Sequence, residues 1–436
     1  MESSTSNDWD VVVVGAGAAG LMAALIAAER GKRTLLLEKN TKAGVKILMS
    51  GGTRCNLTQN TDARGIIAAY GDQGRFLHSA LARLDPPGVV KLFEAEGVPS
   101  KVEDTNKIFP VSDSAVDVRD ALVRRLNRSG AQLALDEPVV AIERADTGWQ
   151  VITPRRRATC AKLILTVGGQ SYPGCGTIGE GYGWAHQLGH TIVPPRPALV
   201  PITTHDDWVH ALSGLTMPDV RVSVIISPAA PEPIEVSAFA LRSARQRKKK
   251  DAPLAEDRGS LLFTHVGFSG PVVLNVSRAI SGHPRPSDFD LLLDFLPDRK
   301  LEAVDEDLRQ ASAADGKRSV TNMLARLIPR RLAEAFVARL KLPAELKSAE
   351  LGKGPRRQLA EAIKQTSIAV AGTLGFKKAE VTAGGVALDE VDSHTMESKL
   401  APNLYFAGEI LDLDGPIGGY NFQAAFSTGL LAGESV

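Results

Sequence analysis

The tightest constraint on this 436-residue chain lies near its start, in Val11-Val-Val-Val-Gly-Ala-Gly-Ala-Ala-Gly20. Trp9 to Val14 is a short β-branched run bounded by polar residues, the composition of a buried parallel strand. Gly15, Gly17 and Gly20 then open an alanine-rich helix at Ala18 and Ala19. In such a GxGxxG turn the first glycine reverses the chain, the second lets backbone approach a pyrophosphate, and the third packs helix on strand. The diphosphate sits at the helix N-terminus, where free N–H groups and the dipole favour anions. A second strand, Arg33 to Leu37, ends in Glu38 and Lys39, about 20 residues on, where a carboxylate binds ribose hydroxyls. The spacing predicts an α/β, Rossmann-like dinucleotide site.

A second GxGxxG occurs at Gly174, Gly176 and Gly179. Tyr172 and Pro173 separate it from the preceding apolar run, and the chain continues into Pro194, Pro195 and Pro197 rather than into a strand with a terminal acid. The reading is therefore of one tightly held dinucleotide, with NADH or NADPH visiting as a transient reductant.

Hydrophobic residues make up 44% of the chain, enough for a full core and for two or three domains. The longest apolar stretches fall short of the roughly 20 residues of a membrane span. The polar N-terminus lacks a secretory pattern, which predicts a cytoplasmic protein. Cys55, Cys160 and Cys175 form no CxxC pair and no Cys/His cluster, so neither a metal site nor a disulfide framework is expected. Net charge is +1, yet it is unevenly spread. Arg242 to Lys250 holds six basic residues and no acid, and Ser319 to Thr366 holds ten basic against four acidic. These stretches read either as solvated faces and a loop or as contacts for a polyanion.

Several longer motifs are more specific. They include Lys46-Ile-Leu-Met-Ser-Gly-Gly-Thr-Arg-Cys-Asn56, Gly168-Gly-Gln-Ser-Tyr-Pro173, Leu262 to Pro271, Thr382-Ala-Gly-Gly-Val386, Thr395 to Lys399, and Leu404-Tyr-Phe-Ala-Gly-Glu409 running on to Gly418-Gly-Tyr-Asn421. By these motifs the chain resembles, over nearly its whole length, the BaiN/RdsA-type or aminoacetone-oxidase family of FAD-binding flavoproteins. Thr53 departs from the third glycine usual in that family's loop, and a β-branched residue resists a positive φ there.

The resemblance implies FAD, with Ser50, Gly51 and Gly52 beside the isoalloxazine ring and Lys46 in the same loop. Arg54, Cys55 and Asn56 become the candidate catalytic residues. Cys55 is either a proton donor opposite hydride delivery or a small packing residue. Arg54 and Asn56 either contact the flavin or pin the loop. Gly168, Gly169 and Val140 are further expected cofactor contacts. Gly408 and Glu409 resemble a motif that binds the ribityl chain, and Gly418, Gly419, Tyr420 and Asn421 bring a helix N-terminus to the flavin, where its dipole stabilises an anionic reduced ring. His265 reads as an acid, a base or a structural turn residue.

The expected architecture is a Rossmann-like FAD domain over residues 1–193 and 386–436. It is interrupted by a β-rich, barrel-like domain at 194–297 and 367–385 and by a helical domain at 298–366. Members of the resembling family act as ribosomal RNA dihydrouridine synthases, aminoacetone oxidases or steroid enone reductases. Reduction of a uridine C=C in large-subunit ribosomal RNA is favoured, because it gives the basic stretches a phosphate-binding role. An amine oxidase or enone reductase of small molecules, and a non-catalytic flavoprotein binding RNA or a protein, are the alternatives.

Overall fold

The computed structural model describes residues 8–230 and 252–436; the basic stretch from Arg242 to Lys250 lies outside them. The chain divides into two compact units, one running to Pro197 and resuming at Ala379–Val436, the other formed by Ala198–Lys378.

The first unit is built on the N-terminal pattern. Strand β1 (Trp9–Val14) leads into helix α1 (Ala18–Glu29), and strand β2 (Thr34–Leu37) into the short helix α2 (Val45–Met49). β1 lies between β2 and the strand Arg157–Leu165, parallel to both, with Val13 opposite Leu36 and Ile164. Leu404–Phe406 joins the same sheet in parallel, Tyr405 opposite Ile164. Val11, Val12 and Val13 are fully buried, as a parallel strand covered on both faces requires.

One cover is α1, and α1 is in turn covered by the closing helix Tyr420–Ser435. A Cβ on Gly429 would stand 2.4 Å from the Ala19 carbonyl oxygen, and one on Gly433 would stand 2.5 Å from that of Ala23. Small residues on both helices therefore let their backbones approach to a distance no larger side chain permits.

The second unit carries a seven-stranded sheet whose long strands Thr216–Ile226, Ala255–Thr264 and Phe289–Asp294 pair antiparallel. The helices Leu301–Ala314, Arg330–Arg339 and Lys353–Lys364 bury their apolar faces in the same core as this sheet, Phe336 meeting Phe295 edge-on at 5.8 Å. The sequence reading divides these residues at 298. The structure joins them in one cluster, since short amphipathic helices gain most of their stability from the surface they cover. Pro329, at the N-cap of Arg330–Arg339, starts a helix rather than kinking one. Residues 379–385 fall with the first unit, where Val381–Val386 pairs with Ile192–Ala198. No helix among the described residues is long and apolar enough to cross a membrane.

Candidate functional site

The three glycines after β1 differ in what surrounds them. A Cβ on Gly20 would lie 1.8 Å from the Gly15 carbonyl oxygen, which is helix packed directly on the turn. At Gly17, the N-cap of α1, nothing lies within 4 Å of such a Cβ and no side chain caps the helix. The first N–H groups of a 12-residue helix therefore face an open side, the arrangement that attracts a diphosphate. Glu38 is buried at the end of β2. Its carboxylate accepts from Ala16 N and Asn40 N, both at 2.8 Å, which fixes it beside the same turn. These residues fit the diphosphate and ribose of a dinucleotide.

The second glycine run folds against this end of the sheet. Asn40 donates to the Cys175 carbonyl at 3.0 Å, and Lys39 pairs with Glu180. Val140, by contrast, is 57% exposed and gives its N–H to Ile152.

The loop after α2 is backbone-strained. Gly51, Gly52, Thr53 and Cys55 have φ of +55°, +67°, +69° and +60°. Position 53 thus takes the left-handed conformation despite its β-branch, at a cost of about 1–2 kcal/mol. The Thr53 hydroxyl donates to the Gly52 carbonyl at 2.6 Å, while Ser50 turns back to bond the Ile47 carbonyl.

The three expected catalytic residues are all engaged within the chain. Arg54 lies over the Phe109 ring at 3.9 Å and pairs with Glu103 at 2.6 Å and Asp113 at 3.2 Å. Asn56 bridges to the closing helix: in the amide orientation its neighbours satisfy, it donates to the Thr58 and Ile108 carbonyls and accepts from Gly419 N at 3.0 Å. Cys55 is fully buried in the main core, and burial pushes its thiol up to about 12.

Glu409 sits at a junction of four segments. Its Oε2 accepts from Lys46 of α2 at 2.6 Å, and its Oε1 from the Ser171 hydroxyl at 2.6 Å and Thr382 N at 2.9 Å. Lys46 also bonds Ser171 at 2.6 Å. The Thr382 hydroxyl receives the N–H groups of Gln170 and Ser171, which places Gly168 and Gly169 beside the same junction. Met49 and Cys175 meet nearby, sulfur to sulfur at 3.0 Å. Gly408, at φ +78°, donates its N–H to Thr428 in the closing helix. Gly418 and Gly419 carry φ of +130° and +89° into that helix, Tyr420 receives a bond from Tyr70 on its carbonyl, and Asn421 holds the preceding loop through Gly415.

Sequence reasoning gave no role to Ser171, Thr382, Glu380 or Tyr172, although all but Glu380 stand inside the quoted motifs. His265 is exposed in a turn of the second unit. Among the described residues no group of three or more His, Cys, Asp or Glu side chains is placed to hold a metal ion.

A parallel sheet with an open, glycine-capped helix N-terminus and a buried acid at the next strand end defines a dinucleotide-dependent oxidoreductase fold, here of the FAD-dependent class. The chain belongs to the family described as HI0933-like protein Rossmann domain, whose model matches residues 9–435. It is similar to the ribosomal RNA dihydrouridine synthase of Escherichia coli (strain K12), 33% identical over 424 residues and 96% of each chain. The enzyme of the same name from Haemophilus influenzae (strain ATCC 51907 / DSM 11121 / KW20 / Rd) is 32% identical over 98% of each chain. The 3-dehydro-bile acid delta(4,6)-reductase of Clostridium scindens (strain ATCC 35704 / DSM 5676 / VPI 13733 / 19) is 30% identical over 97% of this chain and 98% of its own.

Proposed function

We propose that the chain reduces the C=C bond of a uridine in large-subunit ribosomal RNA to give dihydrouridine, with NADH or NADPH as the electron source. The observation that carries this reading is the full-length similarity to two enzymes named ribosomal RNA dihydrouridine synthase. Bound FAD supplies the hydride. The chain's own residues bind and orient: the α1 N-terminus with Gly15, Gly17 and Gly20 for the diphosphate, and Glu38 for the ribose. Glu409, held by Lys46, Ser171 and Thr382, would bind the ribityl chain, and the left-handed Gly51-Gly52 backbone, free of any Cβ, would let the loop approach the ring. Gly418 to Asn421 form the N-terminal end of a 16-residue helix, whose positive dipole end would stabilise negative charge on a reduced ring held there.

The cationic supply for RNA is smaller than the residue count suggests. Arg356 pairs with Asp305, Arg330 with Glu334, Arg357 with Glu361 and Lys364 with Asp294. Arg326, Lys341 and Lys353 stay exposed, with no ion pair among the described residues.

The test has two stages. Depletion in the host should remove a dihydrouridine from large-subunit ribosomal RNA, and purified protein with a nicotinamide reductant should restore it on the transcript; an unchanged modification map refutes the proposal. The Clostridium relative supports a second reading, reduction of a small conjugated enone. Under it the reduced protein reacts with enones and leaves the transcript unchanged.

A further inference from the structure

A buried chain of three side chains lies in the first unit, outside the groups assigned to FAD. Ser398 Oγ stands 2.8 Å from His190 Nε2, and His190 Nδ1 stands 3.3 Å from Glu390 Oε2. His190 and Ser398 are 1% and 6% exposed. Serine, histidine and acid follow in the order of a hydrolytic triad, yet Ser398 cannot act as a nucleophile. Its oxygen accepts from Leu400 N at 3.1 Å and from Ala401 N at 2.8 Å. Two N–H groups fill both acceptor positions of a hydroxyl, so its one hydrogen goes to His190. Nε2 is therefore the unprotonated nitrogen, and the ring proton sits on Nδ1, on the side of Glu390.

These bonds commit His190 to its neutral form. A second proton would enter at Nε2 and meet a serine oxygen with no acceptor position left, so Leu400 or Ala401 would lose its partner. Burial also lowers His190 below the ordinary histidine range, with Glu390 opposing. The other charged and titratable groups of the surrounding elements are exposed or engaged elsewhere. His186, Asp389, His394 and Lys399 are exposed. Glu397 accepts from Asn403 N, Asp392 from His394 N, and the Tyr405 hydroxyl donates to the Ser435 carbonyl. Glu390 is itself fixed by Thr191 N at 2.8 Å.

The strand that leads to Glu409 is what this chain of bonds holds. The His190 ring packs edge-on against Phe406 at 4.8 Å. Ser398 N donates to the Leu404 carbonyl at 2.7 Å and Phe406 N to the Met396 carbonyl at 3.0 Å. The segment around Ser398 thus pairs with one edge of Leu404–Phe406, and Arg157–Leu165 with the other. Glu409, held by Lys46, Ser171 and Thr382, follows three residues after Phe406.

We propose that Ser398, His190 and Glu390 form a proton-sensitive lock on FAD: neutral His190 holds Leu404–Phe406, and through it Glu409, in the geometry that retains the cofactor, and a proton on His190 releases it. They are positioning residues, acting through the strand. The folded chain keeps His190 neutral where an unfolded one is charged, so the lock is complete above about pH 6.5 and is lost as pH falls below that value. It concerns the cofactor and is independent of which C=C bond is reduced.

The test is dialysis of the FAD-loaded protein against flavin-free buffers from about pH 7.5 to about 5.5, on either side of the histidine range, with bound FAD read from its absorbance. The unmodified protein should keep FAD above about pH 6.5 and lose affinity below it by up to about tenfold per pH unit, the limit for one proton, while its far-ultraviolet circular dichroism stays unchanged. Glu390→Gln removes the charge that favours a proton on His190 and should move the midpoint of loss to lower pH. His190→Gln, whose amide oxygen accepts from Ser398 and takes up no proton, should hold FAD equally across the range. Equal loss from His190→Gln and the unmodified protein overturns the lock. So does an unmoved midpoint in Glu390→Gln, FAD kept by the unmodified protein at the acid end, or FAD loss that coincides with unfolding of the chain. Where His190→Gln does not fold, Glu390→Gln decides by itself.

Discussion

Thr53 shows how one side chain can be held against its preference. Its left-handed backbone, at φ +69°, costs about 1–2 kcal/mol, and glycine would remove that strain while adding about 0.4–1 kcal/mol of unfolded-state entropy. Thr53→Gly is expected to raise stability by about 0.5 kcal/mol, measured as a higher denaturant midpoint with an unchanged slope; a lower midpoint means the hydroxyl bond to Gly52 matters more than the strain. Cys55 supplies a second residue-scale prediction. Its thiol is raised to about 12 in the folded state from an ordinary value of about 8.5. Above that ordinary value the unfolded thiol has lost its proton and the folded one has not, so stability falls as pH rises. This contribution is complete below about pH 8.5 and is lost on the way to about 12. Cys55→Ala should flatten that alkaline decline, and thiol reagents at neutral pH should leave Cys55 unlabelled in the native protein.

At the scale of elements, the packing of α1 against the closing helix is the sensitive feature. Gly429→Val places methyl groups where the Ala19 backbone now lies and should cost about 1–3 kcal/mol, lowering FAD content along with the melting temperature. Gly183→Ala is the contrasting case, since nothing lies within 4 Å of the added Cβ in the helix Glu180–Gln187; it should raise stability by up to about 1 kcal/mol. The elements of the nucleotide end were legible in the sequence because their signals are local: a β-branched run, three spaced glycines and an acid at the next strand end. The junction was not legible in that way. Lys46 and Glu409 are joined at 2.6 Å across 363 positions of sequence, and no periodicity encodes such a pair. The same holds for Arg54, whose clamp by Glu103 and Asp113 comes from a distant hairpin, and for Asn56, whose partner Gly419 is almost at the chain's end.

For the whole molecule, the two units differ in how they are assembled. The unit Ala198–Lys378 is one uninterrupted segment with its own core of Phe263, Phe268, Phe289, Phe295 and Phe336. Expressed alone, residues 198–378 should fold and melt cooperatively; a broad transition, or bound dye typical of exposed apolar surface, counts against this. On the ribosomal RNA reading, changing Arg326, Lys341 and Lys353 to Gln should reduce the slope of log affinity against log salt by about 0.7 for each phosphate that is no longer neutralised. An unchanged slope assigns binding to other residues.

The strand Leu404–Phe406 and the helix Tyr420–Ser435 complete the sheet and cover α1, and a ribosome makes both only after the whole of the unit Ala198–Lys378. Gly15, Gly17 and Gly20 emerge earlier, yet their helix stays uncovered until Tyr420–Ser435 has been made. The contiguous middle segment meets no such delay, so during synthesis it folds ahead of the unit that flanks it. Acquisition of the cofactor then waits until synthesis has passed the helix Tyr420–Ser435, and a chain that lacks this helix emerges without a finished nucleotide site.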